Sequence, residues 1–119
     1  MKSCLALILL LASAATVAGK PLPIKAGQYK FAHHFAEDPS FPSITVDVRI
    51  RGRHIVVTNN DKTDVFPHGV LSEGTLIWHS ASKQWIIGDT QKDADLSDVG
   101  GCSDGPEVVD LKNRVYWTC

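Results

Sequence analysis

The chain contains few cysteines and none of the short motifs that mark the common catalytic sites. Cysteine occurs three times in 119 residues. Gly-x-Ser-x-Gly, His-Glu-x-x-His, Walker A and Gly-x-Gly-x-x-Gly motifs are absent, and no Asn-x-Ser/Thr sequence offers an N-glycosylation site. Serine, histidine and aspartate occur, but no pattern places a nucleophile beside a base. We therefore assign no catalytic residue, and a small hydrolase or a metal-dependent enzyme is the least favoured class of function.

A strong excess of charge of either sign is also missing. The chain has 12 basic and 13 acidic residues, a net charge of −1. Domains that bind nucleic acid are usually clearly basic, so we expect no nucleic-acid partner. The charges are unevenly distributed, since residues 20–62 hold seven basic and four acidic residues and residues 63–119 hold four basic and nine acidic ones. This asymmetry predicts a negative surface at one end of the molecule, unless strands from the two segments interleave and cancel it.

Long hydrophobic runs are absent as well. The longest, at residues 5–11, is far shorter than the ~20 residues that cross a bilayer, so we predict no membrane span. It follows Lys2 and precedes small residues at 12–19, an order typical of a cleavable secretion signal. We predict cleavage after Ala18 or Gly19 and export to an extracellular or periplasmic compartment.

The predicted signal peptide, residues 1–19, changes the count of cysteines when it is removed. Residues 20–119 then form a single β domain, a length that supports one hydrophobic core. Cys4 is lost with the signal, so Cys102 and Cys119 remain, and two thiols in an oxidising compartment favour a disulfide. Closing a loop of this size stabilises a protein by about 3 kcal/mol in the chain-entropy model. The spacing does not fit a Cys-x-x-Cys redox site.

Alternation of apolar and polar residues predicts strands, whereas no segment shows the 3.6-residue periodicity of a helix. Residues 27–33 alternate in this way, and residues 44–51 form the clearest case. Gly52 and Arg53 fit a two-residue hairpin turn with glycine at its first central position. This turn predicts that Ile50 lies opposite Ile55 on the buried face.

Further hairpins follow along the chain. Residues 74–88 predict a hairpin in which Trp78 lies opposite Trp85, and residues 107–119 predict another. Strands at a spacing of about ten residues, mostly joined in hairpins, indicate an all-β fold. We predict a small antiparallel meander closed into a barrel, with a β-sandwich as the alternative.

Residues 89–105 are polar and rich in aspartate and glycine, and they predict a long loop fixed by the disulfide. The Asp-x-Asp spacing at its centre suits Ca²⁺, but the glycine and glutamate that complete an EF-hand are missing. The five histidines also lack the spacing of a metal site. We therefore predict no metal and no cofactor, and favour a solvated acidic loop that binds a partner. Its candidate residues are Asp93, Asp95, Asp98 and Asp104.

The aromatic residues allow two interpretations. Three tryptophans and two tyrosines can line the mouth or interior of a small barrel and bind an apolar ligand, or they can fill its core. We expect most of them in the core, because a small β domain must bury large side chains to fold. Trp78 and Trp85 are the two that we most expect outside it. The candidate ligand-binding residues are Tyr29, Trp78, Trp85 and Trp117.

Export, small size, a disulfide and the lack of catalytic motifs together favour a non-catalytic binding protein. The leading hypothesis is an inhibitor or protective partner of another exported protein, in which loops on a rigid scaffold form the binding surface. An acidic loop would suit a basic partner, and lysozyme-like hydrolases are one class that fits. The alternative is a carrier of a small apolar ligand inside a closed barrel.

Overall fold

The strands follow one another along the chain. The computed structural model describes residues 19–41, 43–61 and 67–119, so the predicted signal segment lies outside the described residues except for Gly19. The described strands are β1 (Gly27–Phe35), β2 (Thr45–Arg51), β3 (His54–Asn59), β4 (Gly69–His79), β5 (Gln84–Gly88), β6 (Glu107–Asp110) and β7 (Val115–Thr118). A single 3₁₀ turn, Gln91–Asp95, lies in the connection between β5 and β6. No α-helix occurs within the described ranges.

The strands close into a ring. Each pairs antiparallel with the next, and β1 also pairs with β7 in parallel orientation, with Ala32 opposite Val115 and Phe35 opposite Thr118. An odd number of strands in an up-and-down order makes the first and last run in the same direction, so this ring closes through a parallel pair. The predicted all-β antiparallel meander is confirmed, and closure gives every described strand a neighbour on both sides.

The predicted hairpin registers are found in the ring. Ile50 lies opposite Ile55 across the turn at Gly52. Trp78 lies opposite Trp85 across the turn between β4 and β5. Because a shift of one residue would exchange the two faces of a strand, these registers decide which side chains point into the ring.

Strand β4 begins earlier than the predicted start at residue 74. It runs from Gly69, and its pairing with β3 shifts register between Val57 and Thr58, where Leu71 is the extra residue of β4. Gly74 resembles a strand boundary in the sequence, but it lies within β4 at a point of close backbone approach. A Cβ atom there would lie 2.5 Å from the carbonyl oxygen of Gly88. Glycine is therefore required in mid-strand for packing and does not end the strand.

Alternation along the strands gives the ring an inner and an outer face. The inner side chains pack in one buried cluster that includes Phe31, Val46, Val48, Ile50, Ile55, Val57, Leu76, Trp85, Ile87, Val109 and Tyr116. The largest exposed fraction in this cluster is 7%, at Ile87. The interior of the ring is therefore a packed hydrophobic core.

A second, smaller cluster lies on the outer face of β4 to β7. Ile77, Ile86 and Val108 are buried there, and Trp117 packs against them. Val99 of the connection between β5 and β6 packs on the same cluster. That connection is therefore held on the ring by hydrophobic contacts, although its exposed side is polar.

A disulfide joins Cys102 to Cys119, with their Cα atoms 4.7 Å apart. The predicted bridge is confirmed. It ties the β5–β6 connection to the residue after β7, and such bonds persist in oxidising compartments. No helix within the described ranges is long and apolar enough to cross a membrane.

Replacement of both cysteines by serine should lower the free energy of unfolding by about 3 kcal/mol, because the unfolded chain regains conformational entropy. Urea denaturation of the two proteins at one pH measures the difference. Dithiothreitol should lower the free energy of unfolding of the native protein by a similar amount and should not change that of the double variant. Equal stability of the native protein with and without reductant would contradict the prediction.

His33, near the end of β1, is a buried polar residue of the core, with an exposed fraction of 2%. Its Nε2 atom lies 2.7 Å from the Thr118 hydroxyl, and its Nδ1 atom forms a hydrogen bond with the Ser43 hydroxyl. The ring packs edge-on against Phe35 at 4.8 Å. Burial, with a smaller effect from the neighbouring His34, lowers the pKa of His33 to about 4. A neutral imidazole therefore links β1 to β7 and to the segment before β2.

Protonation of His33 should weaken the fold as the pH falls. The pKa is near 6.5 in the unfolded chain and about 4 in the folded one, so the unfolded state binds more protons between these values. We expect the free energy of unfolding to fall by about 2 kcal/mol from pH 7 to pH 5 through this residue. His33→Gln, measured by urea denaturation at both pH values, should lose most of that dependence. An identical pH profile for the variant and the native protein would show that His33 is not the source.

Candidate functional site

Topology divides the ring into two ends. The hairpin turns β2–β3, β4–β5 and β6–β7 lie at one end, where residues 19–26 also enter β1, because alternate turns of a meander share an end. Strands β1, β3, β5 and β7 finish at the other end. Different stretches of the chain therefore form the two ends.

Charge separates between these ends. The first, which we call the basic end, carries Lys20, Lys25, Arg51, Arg53, Lys83, Lys112 and Arg114, together with Asp110. The second, the acidic end, carries Glu37, Asp38, Asp61, Asp89, Asp93, Asp95, Asp98 and Asp104, together with Lys92. Both ends take residues from both halves of the sequence, so the charge separates by the end at which each turn lies and not by half of the chain.

An acidic groove lies at the acidic end, between β4 and the β5–β6 connection. Its volume is about 720 Å³, and its carboxylates are those of Glu73, Asp89, Asp93, Asp98 and Asp104. Three of the four aspartates singled out in the sequence therefore line one groove. Asp95 is exposed on the 3₁₀ turn and is not part of the lining.

Most of the groove carboxylates have no cationic neighbour. Glu73 pairs with His54 at 2.9 Å. Within the described ranges, no lysine or arginine forms an ion pair with Asp89, Asp98 or Asp104. Carboxylates held together without counter-charges create a negative potential over the groove, which attracts cationic groups.

Asp93 differs from its neighbours because its carboxylate holds the backbone. Its Oδ2 atom accepts hydrogen bonds from the backbone N–H groups of Asp89 at 2.7 Å and Thr90 at 3.4 Å. Gly88 permits this contact, since a Cβ atom there would lie 2.7 Å from the same oxygen. Asp93 therefore fixes the turn that leaves β5, and part of its charge is already satisfied.

Other contacts hold the wall of the groove against the ring. His79 on β4 donates from Nε2 to the Leu96 carbonyl at 2.6 Å, while its Nδ1 atom accepts from the Ser82 backbone. Further along, Gly105 crosses Asp98 so closely that a Cβ atom would lie 1.8 Å from the Asp98 carbonyl oxygen. With the disulfide, these contacts make the wall a fixed surface.

The remaining candidate metal ligands are separated or already used. His33 lies in the core, His54 pairs with Glu73, and His79 holds the groove wall. Glu37 lies within 4.8 Å of the two cysteine sulfurs, but these atoms are bonded to each other and are not thiolates. The donor groups therefore serve structural contacts.

A buried polar contact lies inside the ring near the acidic end. The Tyr116 hydroxyl donates to the Glu107 carboxylate at 2.6 Å. Burial and the hydrogen bond to Glu107 raise the pKa of Tyr116 well above its usual value. Tyr116 therefore keeps its proton and joins β6 to β7 from within.

A smaller depression, the basic aromatic pocket, lies at the basic end where β5 begins and β6 ends. Its volume is about 370 Å³, and Trp78, Trp85 and Trp117 contribute to its walls. The rings of Trp78 and Trp85 meet edge to face with centroids 5.3 Å apart. The Lys20 ammonium lies 3.6 Å from the Trp78 ring centroid, and Lys83 also lines the pocket.

Three of the four aromatic candidates line this pocket, and Tyr29 lies outside it. Tyr29 and Trp78 are half-buried against the inner core, and Trp117 packs on the outer cluster and contacts the His34 ring. Trp85 has an exposed fraction of 5%, contrary to our expectation that it escapes the core. The expectation treated its hairpin as an edge, whereas in the closed ring β5 has β4 and β6 on its two sides.

Sequence reasoning missed the basic end. The signal is present, because Arg53, Lys83 and Lys112 each occupy one of the alternate hairpin turns. In an up-and-down meander these turns must lie at one end. Taking every second turn along the chain as one group would therefore have placed these three side chains at the same end from the sequence alone.

Comparison of the chain with protein-family models, with curated proteins and with solved structures gives no match. Function is therefore inferred from the chemistry of the two ends. The acidic groove is wide and lined by carboxylates, whereas the basic pocket is smaller and aromatic.

Asp93→Asn should destabilise the turn after β5 by about 1 kcal/mol, as the loss of a capping carboxylate does elsewhere. Hydrogen exchange followed by NMR should show faster exchange at the Asp89 and Thr90 amides, which donate to Asp93. Asp95→Asn removes the same charge from an exposed position, and should change stability by less than about 0.5 kcal/mol. Equal exchange rates at the two amides in both variants would contradict a capping role.

Proposed function

We propose that this chain is a non-catalytic binding protein of an exported compartment, which binds a basic protein through the acidic groove. Inhibition or protection of that partner is the role in best agreement with the site. The observation that supports it is a groove lined by carboxylates, most of which form no ion pair with a lysine or arginine of the described residues. The wall of the groove is fixed by the disulfide, by the contact of His79 with Leu96 and by close backbone packing.

The packed interior supports a function at the surface of the ring. A carrier of the closed-barrel type holds its ligand in an internal cavity of about 300 Å³ or more. Here the inner face is filled by the buried cluster around Phe31, Ile55 and Tyr116. Loops and strand ends therefore offer the accessible chemistry, as is usual for a rigid scaffold.

Electrostatics favour a basic partner over a neutral one. Like charges close together destabilise the isolated protein, and a cationic partner relieves this repulsion while it speeds association. Asp98 and Asp104 face the groove from the wall, and Glu73 faces it from β4. A lysine or arginine side chain of the partner can enter between them.

The groove also offers apolar contact. Leu96 lines it and has an exposed fraction of 39%. A charged groove with an apolar member resembles the usual composition of a protein interface, where apolar anchors supply affinity and charges supply specificity. The partner is therefore expected to present a cationic side chain beside an apolar one.

Binding to basic exported hydrolases, including the lysozyme class, tests the proposal. Wild-type affinity, measured by calorimetry at about 50 and 300 mM salt, should fall at the higher salt because rim charges are screened. The double variant Asp98→Asn/Asp104→Asn should bind about three- to tenfold more weakly at low salt. Enzyme activity with and without the chain shows whether binding inhibits the hydrolase.

Asp95→Asn is the matched control, since it lies in the same loop but outside the groove lining. It should change affinity less than either groove aspartate alone. A hydrolase whose lysines have been succinylated should not bind. The proposal would be overturned by an affinity that changes neither with salt nor in the groove variants. It would also be overturned if no basic hydrolase binds.

A further inference from the structure

We propose that the basic aromatic pocket is a second binding site, which takes a small planar organic anion such as an aromatic carboxylate or sulfonate. It lies at the opposite end of the ring from the acidic groove. The pocket and the groove share no lining residue, so substitutions in one leave the lining of the other intact.

The size and walls of the pocket select the apolar part of the ligand. A volume of about 370 Å³ falls at the lower end of the range for small-molecule sites, enough for one or two fused rings. Trp78 is half-buried, so one part of its indole remains accessible while Trp85 supports it edge-on at 5.3 Å. A flat aromatic group can stack or pack edge-on against such a ring at low conformational cost.

The cations around the pocket select the charge. Lys20, Lys83 and Lys112 all line it, and the Lys20 ammonium lies over the Trp78 ring at 3.6 Å. Together they present a positive rim above an aromatic wall. An anionic group attached to an aromatic ring satisfies both features at once, whereas a neutral ring offers Lys83 and Lys112 no counter-charge.

The acidic residue in the pocket does not neutralise this rim. Asp110 is part of the lining, but its two carboxylate oxygens accept hydrogen bonds from Asn113, at 2.9 Å from the backbone and 2.8 Å from the side chain. Asp110 thereby closes the turn between β6 and β7. The carboxylate keeps its negative charge, but one carboxylate against three lysines leaves the rim positive.

Two dyes that differ only in charge test the inference. 8-Anilino-1-naphthalenesulfonate carries a sulfonate, and N-phenyl-1-naphthylamine is its uncharged counterpart. We expect the folded protein to bind the anionic dye at least fivefold more tightly, with quenching of tryptophan fluorescence. Lys83→Gln/Lys112→Gln should weaken the anionic dye about tenfold and the neutral dye less than twofold.

Trp78→Leu should weaken both dyes about tenfold, because it removes the aromatic wall. Lys92→Gln, at the acidic end, is the matched charge control and should alter neither dye. Urea denaturation shows whether each variant is folded. If Trp78→Leu is not folded, Lys83→Gln/Lys112→Gln alone still tests the inference. Equal affinity of the native protein for the two dyes would overturn the inference. So would an unchanged ratio of the two affinities in Lys83→Gln/Lys112→Gln.

Discussion

The parallel pairing of β1 with β7 is the constraint on which the rest of the structure depends. It turns a meander into a ring, whose inner side chains pack in one core. Without it, β1 and β7 would each present an unpaired edge, which is a common site of aggregation. The contact of His33 with Thr118 reinforces this pair from inside.

Ring closure also explains how one small domain can keep two unlike surfaces apart. Turns of opposite parity lie at opposite ends of the strands, and within the described ranges no lysine or arginine of the basic end forms an ion pair with an aspartate of the acidic end. Asp47 shows the contrast, because it lies in mid-strand on β2 and pairs with Lys30. That contact with Lys30 and a hydrogen bond from Asn60 lower the pKa of Asp47. Asp47 and Lys30 thus neutralise each other in mid-strand.

The local parts of the fold could be predicted from the sequence, and the non-local parts could not. The two hairpins at Gly52 and between Trp78 and Trp85 have the predicted register. Their register could be predicted because it is set by residues close together in the sequence. The β1–β7 pair joins residues as far apart as His33 and Thr118, a separation of 85. No short-range pattern encodes such a contact.

The candidate site shows the same division. Composition indicated an acidic loop, but the distinction between Asp93, which holds backbone N–H groups, and Asp98, which faces the groove, depends on the path of the chain. The basic aromatic pocket needs two separate turns, β4–β5 and β6–β7, and the segment before β1. Its parts are visible in the sequence, and only the topology brings them together.

The order in which the strands are made gives the β1–β7 contact a consequence for biogenesis. β7 follows the other described strands in the chain, so during synthesis β1 and β6 each lack a neighbour until β7 has emerged. Contacts between distant segments form slowly, because the loop entropy must be lost before the pair is gained. The ring therefore cannot close until β7 is available.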